Sequence, residues 1–233
     1  MSGTGSRTVA PVRRSPAHRL HAALGARFAM EASWEIPASF GREAEREAVR
    51  SGAAIADITA RAKVDLRGDV EKALSRLAGT PPAVRSVVTP DGTGSERMHV
   101  ARLGFQWALL LAEPSLGEGP LAAAEAAVAG DESMVTDVTG GFAGFALGGP
   151  KAIELLSRLT AFDLADLAPG TCAATRVAEV SGILVHARSP GGIIELYVSS
   201  EYGRFAWETL QSVGEVVGGV PVGWEALRAE GWW

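Results

Sequence analysis

The chain has 233 residues, of which 47% are hydrophobic and 21% are charged, and its formal net charge is -5 at pH 7. This composition is typical of a globular protein and leaves room for one sizeable domain or two smaller units that share a core. The acidic balance with scattered basic residues argues against nucleic-acid binding, and no uncharged apolar run approaches the roughly 20 residues that span a bilayer.

The first elements in chain order are a polar tail and an amphipathic segment. Residues 1–16 (MSGTGSRTVAPVRRSP) are basic and poor in large apolar groups, which predicts a disordered tail. The next stretch, HRLHAALGARFAM, carries four basic or histidine side chains and is a poor hydrophobic region for a signal peptide. SWEIPASF, residues 33–40, then lies between two helical segments. A hydrophobic core does not by itself require tryptophan, glutamate and proline in this order, so this stretch is either a loop or one wall of a binding site.

The most informative feature is an internal repeat. Residues 57–77 read DITARAKVDLRGDVEKALSRL, and residues 137–159 read DVTGGFAGFALGGPKAIELLSRL. Each copy gives Asp, a β-branched residue and Thr, then a short apolar strand, a glycine turn and a helix that ends in Leu-Ser-Arg-Leu. Pro150 suits the first turn of the second helix.

Each copy continues with short strands and a further helix. MHVARL, WALLLAE and the helix LAAAEAAVA follow the first copy; ATRVAEV, GILVHAR, IIELYVSS and the helix EYGRFAWETLQSV follow the second. The strands are rich in Val, Ile and Leu, and the helices show 3.6-residue spacing. The pattern predicts an α+β fold of two repeated sandwich units, each with helices on one face of a mostly antiparallel sheet. The predicted boundaries are 17–130 for the first half and 131–233 for the second.

The usual catalytic and metal motifs are missing from the sequence. His18 and His21 lie three apart on a helix, but no HExxH pattern accompanies them, so a solvated helix face is expected and no metal site is predicted. His99 and His186 alternate with apolar neighbours in strands, where partnered histidines are expected. Neither phosphate-binding glycine motif is present. The single cysteine, Cys172, excludes a disulfide framework, favours a reducing cytoplasm and is expected to be a small buried residue rather than a nucleophile.

Two carboxylates are candidate site residues. Glu96 follows the turn PDGTGS and precedes a strand, which places it at a strand edge that faces solvent or a crevice. Glu195 lies within IIELYV, and by alternation its side chain points away from those of Ile194 and Leu196. It is either a solvent-facing strand glutamate or a carboxylate that accepts the paired N–H groups of a heterocycle.

In order along the chain, several of these segments resemble the glycine-cleavage T-protein (aminomethyltransferase) family and its relatives in sarcosine oxidase and dimethylglycine dehydrogenase. HAALGARF with SWEIPASF resembles the family's opening, where Trp-Glu-x-Pro precedes an aromatic residue. REAVRSGAAIADITARAKVDLRG resembles its first helix and strand, and DVTGGFAGFALGGPKAIELLSRLT resembles its second-domain entry. IIELYVSSEYGRFAWETL resembles the stretch in which a glutamate binds the pterin, whereas PGTCAATRVAEV is closer to the small gamma subunit of sarcosine oxidase.

The resemblance implies a folate-binding fold and assigns roles to particular residues. It implies one-carbon transfer from an amine to tetrahydrofolate, with Glu195 as the anchor of the heterocycle and Glu96 as the catalytic carboxylate. Trp34, with Glu35 and Pro37, would line the folate channel. Trp224 and Arg228 stand near the end of the chain in the places of the family's Ala-Arg-Asp-x-Leu-Arg pattern.

Three departures from the family pattern leave alternatives open. Glu96-Arg97 stands where active members carry an Asp-Asp pair, Trp224 replaces a folate-channel arginine, and the family's C-terminal barrel has no counterpart. The chain could therefore be a non-catalytic, gamma-like subunit of a flavoprotein complex, or a member that serves a biosynthetic reaction without folate. Trp224, Trp232 and Trp233 would then anchor a flavoprotein or a second copy of the chain, or instead fold back on their own domain.

Overall fold

The fold is mixed, with seven α-helices and fourteen strands in the part of the chain that is described. The structure is a computed structural model and describes residues 11–41, 43–90, 98–188 and 192–232. The helices are α1 (His18–Ala23), α2 (Ala44–Ser51), α3 (Val70–Ala78), α4 (Gly119–Val128), α5 (Ala152–Ser157), α6 (Gly203–Val217) and α7 (Trp224–Ala229). The strands are β1 (Arg13–Arg14), β2 (Arg27–Glu31), β3 (Trp34–Ser39), β4 (Ala53–Asp57), β5 (Ala62–Gly68), β6 (Ser86–Val88), β7 (Met98–Gly104), β8 (Trp107–Ala112), β9 (Ser133–Asp137), β10 (Phe142–Gly148), β11 (Thr171–Val177), β12 (Val180–His186), β13 (Ile194–Ser199) and β14 (Gly219–Pro221).

The strands form one long and one small sheet. The long sheet has the order β14-β4-β10-β13-β12-β11-β6-β7-β8-β5-β9, and the small sheet has the order β1-β3-β2. Within the described residues, the pairs of β14 with β4 and of β1 with β3 are parallel, and the other pairs are antiparallel. The SWEIPASF stretch is therefore mostly strand β3. The prediction of an α+β fold with mostly antiparallel sheet is confirmed.

Two halves of the long sheet pack face to face, with helices outside both. Alternate residues of β8 divide between two clusters: Leu110 packs with α3 and α4, whereas Leu109 packs with residues of the other half-sheet. In β13, Leu196 likewise packs with α5 and α6, whereas Tyr197 joins the same inner cluster as Leu109. Successive strand side chains point to opposite faces, so each half-sheet contributes one face to a shared inner layer.

The halves exchange a strand at each copy of the repeated Asp-x-Thr motif. β4 ends at Asp57 and pairs with β10, whereas β9 ends at Asp137 and pairs with β5. Each half-sheet therefore contains a strand from the other side of residue 130. The division at residue 130 stays a prediction about sequence units.

The amino-terminal segment differs from two expectations, a disordered tail over residues 1–16 and a solvated helix face at His18 and His21. Residues 1–10 lie outside the described residues, but Arg13 and Arg14 pair with β3, and Ser15 is buried. The expected solvated face of α1 is wrong for His21, which is fully buried. Its Nε2 lies 2.6 Å from an Asp57 carboxylate oxygen, and its ring packs edge-on against Trp207, 4.4 Å between centroids. The hydrogen-bond partner of His21 comes from β4, which no helical spacing rule could reveal.

Candidate functional site

A cluster of charged side chains lies inside the inner layer. Arg61 immediately precedes β5, Lys63 lies on β5, and Glu195 and Tyr197 lie on β13 of the facing half-sheet. Glu195 is 3% exposed, which excludes the solvent-facing alternative. One of its carboxylate oxygens accepts a hydrogen bond from Arg61 Nη1 at 2.5 Å, and the other accepts one from the Tyr197 hydroxyl at 2.6 Å.

The Arg61–Glu195 ion pair determines the charge state of this cluster. Burial alone would lower the pKa of Arg61, but the nearby Glu195 charge more than compensates and the pKa is raised. Burial, together with the Glu195 charge, raises the pKa of Tyr197 well above its usual range. Arg61 therefore stays charged and Tyr197 stays a hydrogen-bond donor at neutral pH.

Lys63 and His99 respond to the same environment. Lys63 Nζ donates to the backbone oxygens of Thr59 at 2.8 Å and Arg61 at 2.7 Å. Burial, reinforced by the charge of Arg61, lowers the pKa of Lys63 to about 7. Burial and the same arginine lower the pKa of His99 to about 4, so this imidazole is neutral near pH 7. His99 Nδ1 lies 3.1 Å from the Thr89 hydroxyl, which agrees with the expected partnered histidine.

Glu195 retains hydrogen-bonding capacity beyond these partners. A carboxylate offers about four lone-pair positions, and Arg61 and Tyr197 occupy one on each oxygen. The arrangement therefore suits a planar heterocycle that presents adjacent N–H groups. Arg61, which stays charged, would lie beside any such ligand.

Trp34 begins β3 and lines a cavity of 490 Å³. Its indole is 6% exposed, and the guanidinium carbon of Arg13 lies 5.9 Å from the ring centroid. Asp137 and Thr139 of the second repeat line the same cavity, together with apolar residues that include Ala60, Val64 and Leu121. Trp34 therefore contributes to a cavity wall, and its ring also joins the inner cluster that contains Tyr197.

The carboxy-terminal candidates are packed within the chain. Trp224 is 1% exposed, and its Nε1 donates to the backbone oxygen of Asp57 at 2.8 Å. Arg228 lies over the Trp224 ring at 5.3 Å and forms a 3.3 Å ion pair with Glu31. Trp232 is also buried, against the backbone of Gly148. Trp224 and Trp232 therefore fold back on their own domain; Trp233 lies outside the described residues.

The structure brings some predicted site residues together but leaves one undescribed. Trp34 and Trp224 belong to the inner cluster with Tyr197, which donates a hydrogen bond to Glu195, and Arg228 lies over the Trp224 ring. Glu96, with Arg97, lies outside the described residues. Sequence reasoning missed Arg61 and Lys63. The charged residues at alternate positions 61, 63, 65 and 67 were a usable signal, because they share one face of the strand and charges that become buried require a partner.

The Asp57 cluster was also missed. The carboxylate of Asp57 is held by His21 Nε2, by the Ser15 hydroxyl and by the backbone N–H of Thr59. Burial would raise the pKa of Asp57, but the hydrogen bond and charge of His21 lower it overall. The recurrence of Asp-x-Thr in both repeats was the sequence signal for this residue.

Two negative findings concern the described residues alone. No group of three or more His, Cys, Asp and Glu side chains is placed to hold a metal ion within the described ranges. No helix in this same part of the chain is long and apolar enough to cross a membrane. Cys172 is fully buried, and burial raises its pKa to about 12, as expected for an inert cysteine.

Comparison with known sequences points to one family. The family described as GCVT N-terminal domain matches residues 17–232. An aminomethyltransferase of Desulfitobacterium hafniense is 27% identical, with 91% of this chain and 61% of the relative covered. One of Saccharopolyspora erythraea is 29% identical over 91% of this chain and 60% of the relative. The chain thus spans about three fifths of the length of these relatives.

Solved structures share the fold. Glycine cleavage system aminomethyltransferase T from Bartonella henselae has a TM-score of 0.80 at 18% identity, covering 94% of this chain and 62% of that chain. A chain of heterotetrameric sarcosine oxidase from Corynebacterium sp. U-96 has a TM-score of 0.64 at 20% identity, covering 90% of this chain and 98% of that chain. At such identities the likeness shows the fold alone. The family match over residues 17–232 shows that the chain belongs to the family of the glycine-cleavage T-protein (GCVT) N-terminal domain.

Proposed function

We propose that the protein binds a reduced folate and takes part in aminomethyltransferase-type transfer of a one-carbon unit from an amine to tetrahydrofolate. The observation that carries the proposal is the buried carboxylate of Glu195, whose two oxygens accept hydrogen bonds from Arg61 and from Tyr197. The aminomethyltransferases matched by the sequence support the same reaction class.

In this proposal, each site residue has a particular role toward the folate. Glu195 would accept its N–H groups, and Tyr197 and Arg61 would keep the carboxylate oriented. The folate supplies the nitrogen atoms that accept the one-carbon unit. Trp34 and Trp224 provide apolar walls around the inner layer, and Arg228 fixes the Trp224 ring from its outer edge. Glu96 is proposed to act at the reacting amine or the bridging nitrogen of the folate.

Calorimetric titration with 5-formyltetrahydrofolate tests this proposal. The Glu195→Gln variant should bind roughly 10- to 100-fold more weakly, because it loses a charge-assisted hydrogen bond of about 1.5–3 kcal/mol. Arg204→Gln changes an exposed arginine that pairs with Glu208 on α6, and should bind like the unaltered protein.

Loss of one partner of a buried ion pair also destabilises a fold by about 3–5 kcal/mol. The Arg61→Met/Glu195→Gln double variant removes both charges and separates lost folding from lost binding. Equal affinity in folded Glu195→Gln would remove Glu195 from the anchor role. Absence of binding by the unaltered protein would reject the folate proposal and favour a member that works without folate.

A second candidate function is a non-catalytic subunit that packs on a flavoprotein. The fold match to the heterotetrameric sarcosine oxidase chain covers 98% of that chain, and Arg61 already neutralises the carboxylate that a folate would require. Co-expression with the flavoprotein subunits of a sarcosine oxidase should then give a complex of defined mass with flavin absorbance. Separate elution of the two proteins, with folate bound by this chain alone, would contradict the subunit role.

A further inference from the structure

The two half-sheets separate at one end of the inner layer and leave an open groove there. One wall is formed by Arg67 and Trp107, which are direct register partners on β5 and β8. The other wall contains Arg176, Ser181, Ser199 and Phe142, from β11, β12, β13 and β10. Between the walls lies a groove of 620 Å³, which falls within the usual range for small-molecule sites of about 300–1,000 Å³.

This groove is distinct from the Glu195 cluster. Ser199 lies four residues beyond Glu195 on β13, about 13 Å along the strand. Arg67 lies six residues beyond Arg61, near the end of β5, about 20 Å along the strand. The arginines of the groove therefore lie farther along the inner layer than Glu195, and Ile183, the register partner of Tyr197, is where the groove lining comes next to the cluster.

Arg67 is held in one orientation at the groove. Asp65 accepts hydrogen bonds from Arg67 Nε at 2.8 Å and from Trp107 Nε1 at 2.7 Å, one on each oxygen. The guanidinium carbon of Arg67 lies 4.1 Å from the Trp107 ring centroid, a stacked arrangement. The two terminal nitrogens of Arg67 make no hydrogen bond with any described residue, so they remain able to bind a ligand.

The opposite wall supplies a second fixed cation. Arg176 Nη2 donates to the backbone oxygen of Glu179 at 2.6 Å, in a turn where Ala178 and Glu179 both have positive φ. The Glu179 carboxylate also contacts Nη2 at 3.1 Å, but its side chain is 92% exposed and is not part of the groove lining. Among the described residues that line the groove are two arginines and no carboxylate.

Part of the groove lining is apolar and aromatic. Trp107, Phe142 and Ile183 provide flat hydrophobic surface, and Thr175 and Ser181 provide hydroxyl groups at the margin. A planar ring could stack there while its anionic group reached a guanidinium, and Arg is well suited to bidentate carboxylate binding. We infer that this groove is a second binding site, whose ligand is a small planar aromatic carboxylate held by Arg67 and Arg176 over Trp107 and Phe142.

The test uses 2-naphthoate as the probe and 2-naphthylmethanol as its neutral counterpart. Binding is measured by calorimetry and by the NMR signals of the tryptophan indole N–H groups. Binding of 2-naphthoate should shift the Trp107 signal, assigned with Trp107→Phe. Arg67→Gln and Arg176→Gln should each weaken 2-naphthoate binding by about tenfold or more, and the neutral alcohol should bind at least tenfold more weakly than the acid. Arg204→Gln on α6 is the matched surface control.

Several results would overturn the inference. These are no binding of 2-naphthoate, equal binding of acid and alcohol, an unshifted Trp107 signal, or unchanged affinity in both folded arginine variants. Because Arg67 also holds Asp65, Arg176→Gln provides a second variant that leaves the Asp65–Trp107 hydrogen bond in place. The outcome is independent of folate binding, since the probe and the mutated residues differ from those used at Glu195.

Discussion

At the scale of single residues, the fold places two cationic side chains where burial opposes charge. Arg61 keeps its proton because Glu195 lies 2.5 Å away, whereas Lys63 has only backbone carbonyls as hydrogen-bond acceptors among the described residues. At Lys63 the cost of desolvation therefore outweighs the favourable interactions of the charged form, whereas at Arg61 the ion pair with Glu195 outweighs that cost. The pKa of Lys63 is lowered to about 7, so its amine is partly neutral under ordinary conditions.

We expect the free energy of unfolding to rise with pH above neutrality because of Lys63. Its pKa is about 7 in the folded protein and 10.5 ordinarily, so the unfolded chain binds more protons between these values. Stability should then increase by up to about 1.4 kcal/mol per pH unit. Urea unfolding between pH 7 and about 8 measures this slope while the Cys172 thiol of the unfolded chain is still mostly protonated.

The Lys63→Met variant should lack this component of the pH dependence. Lys72→Met is the matched control, because Lys72 is an exposed lysine on α3 whose side chain is 65% exposed. An identical slope in Lys63→Met and the unaltered protein would show that the folded state does not suppress protonation of Lys63.

At the scale of elements, the two Asp-x-Thr turns hold the two halves together reciprocally. The backbone N–H of Thr59 donates to Asp57 Oδ1 at 2.9 Å, and that of Thr139 donates to Asp137 Oδ1 at the same distance. The Thr59 hydroxyl accepts from the N–H of Gly144 on β10, at 3.1 Å. The Thr139 hydroxyl accepts from the N–H of Lys63 on β5, at 3.0 Å. Each repeat thus satisfies a backbone donor in the other.

Replacing either threonine by valine should destabilise the protein by a similar amount. Thr59→Val and Thr139→Val each keep a β-branched shape but leave a buried N–H group without its acceptor, which costs about 1–3 kcal/mol. Thr209→Val on α6 is the control, since the Thr209 hydroxyl is exposed and donates to the Phe205 carbonyl within its own helix. Chemical denaturation of the three variants measures the differences. A loss no greater than that of Thr209→Val would show that the reciprocal hydrogen bonds do not hold the halves together.

At the scale of the whole molecule, two half-sheets enclose a single inner layer between outer helices. This layer combines the hydrophobic cluster around Tyr197 and Trp224 with the ion pair of Arg61 and Glu195. The arginines of the Arg67–Arg176 groove lie farther along this layer than Glu195. If both proposals hold, one inner layer binds two different ligands at separate places.

Cys172 should report on opening of this layer. The thiol lies in the inner cluster, is fully buried, and has its pKa raised to about 12. We expect the native protein to react with a disulfide reagent at pH 8 only as fast as it unfolds or opens, because the reacting species is an accessible thiolate. Reaction in the presence of denaturant provides the reference rate. A native rate close to that reference would contradict a closed inner layer.

Local sequence determined those features that depend on near neighbours along the chain. The repeated Asp-x-Thr, strand and helix pattern predicted the duplicated α+β architecture, and strand alternation correctly turned Glu195 away from Ile194 and Leu196. The resemblance of ordered segments identified the family. These features follow from backbone periodicity and turn chemistry, which a single chain segment encodes.

Only the tertiary structure decided which distant groups meet. Arg61 and Glu195 lie 134 residues apart, and His21 and Asp57 lie 36 apart, so their pairing depends on how sheets and helices pack. The exchange of β4 and β9 and the burial of Trp232 have the same origin. Strand register and face-to-face packing between remote segments are cooperative properties of the whole fold. Local patterns fix the direction of a side chain, whereas the partner it finds there is fixed by the tertiary packing.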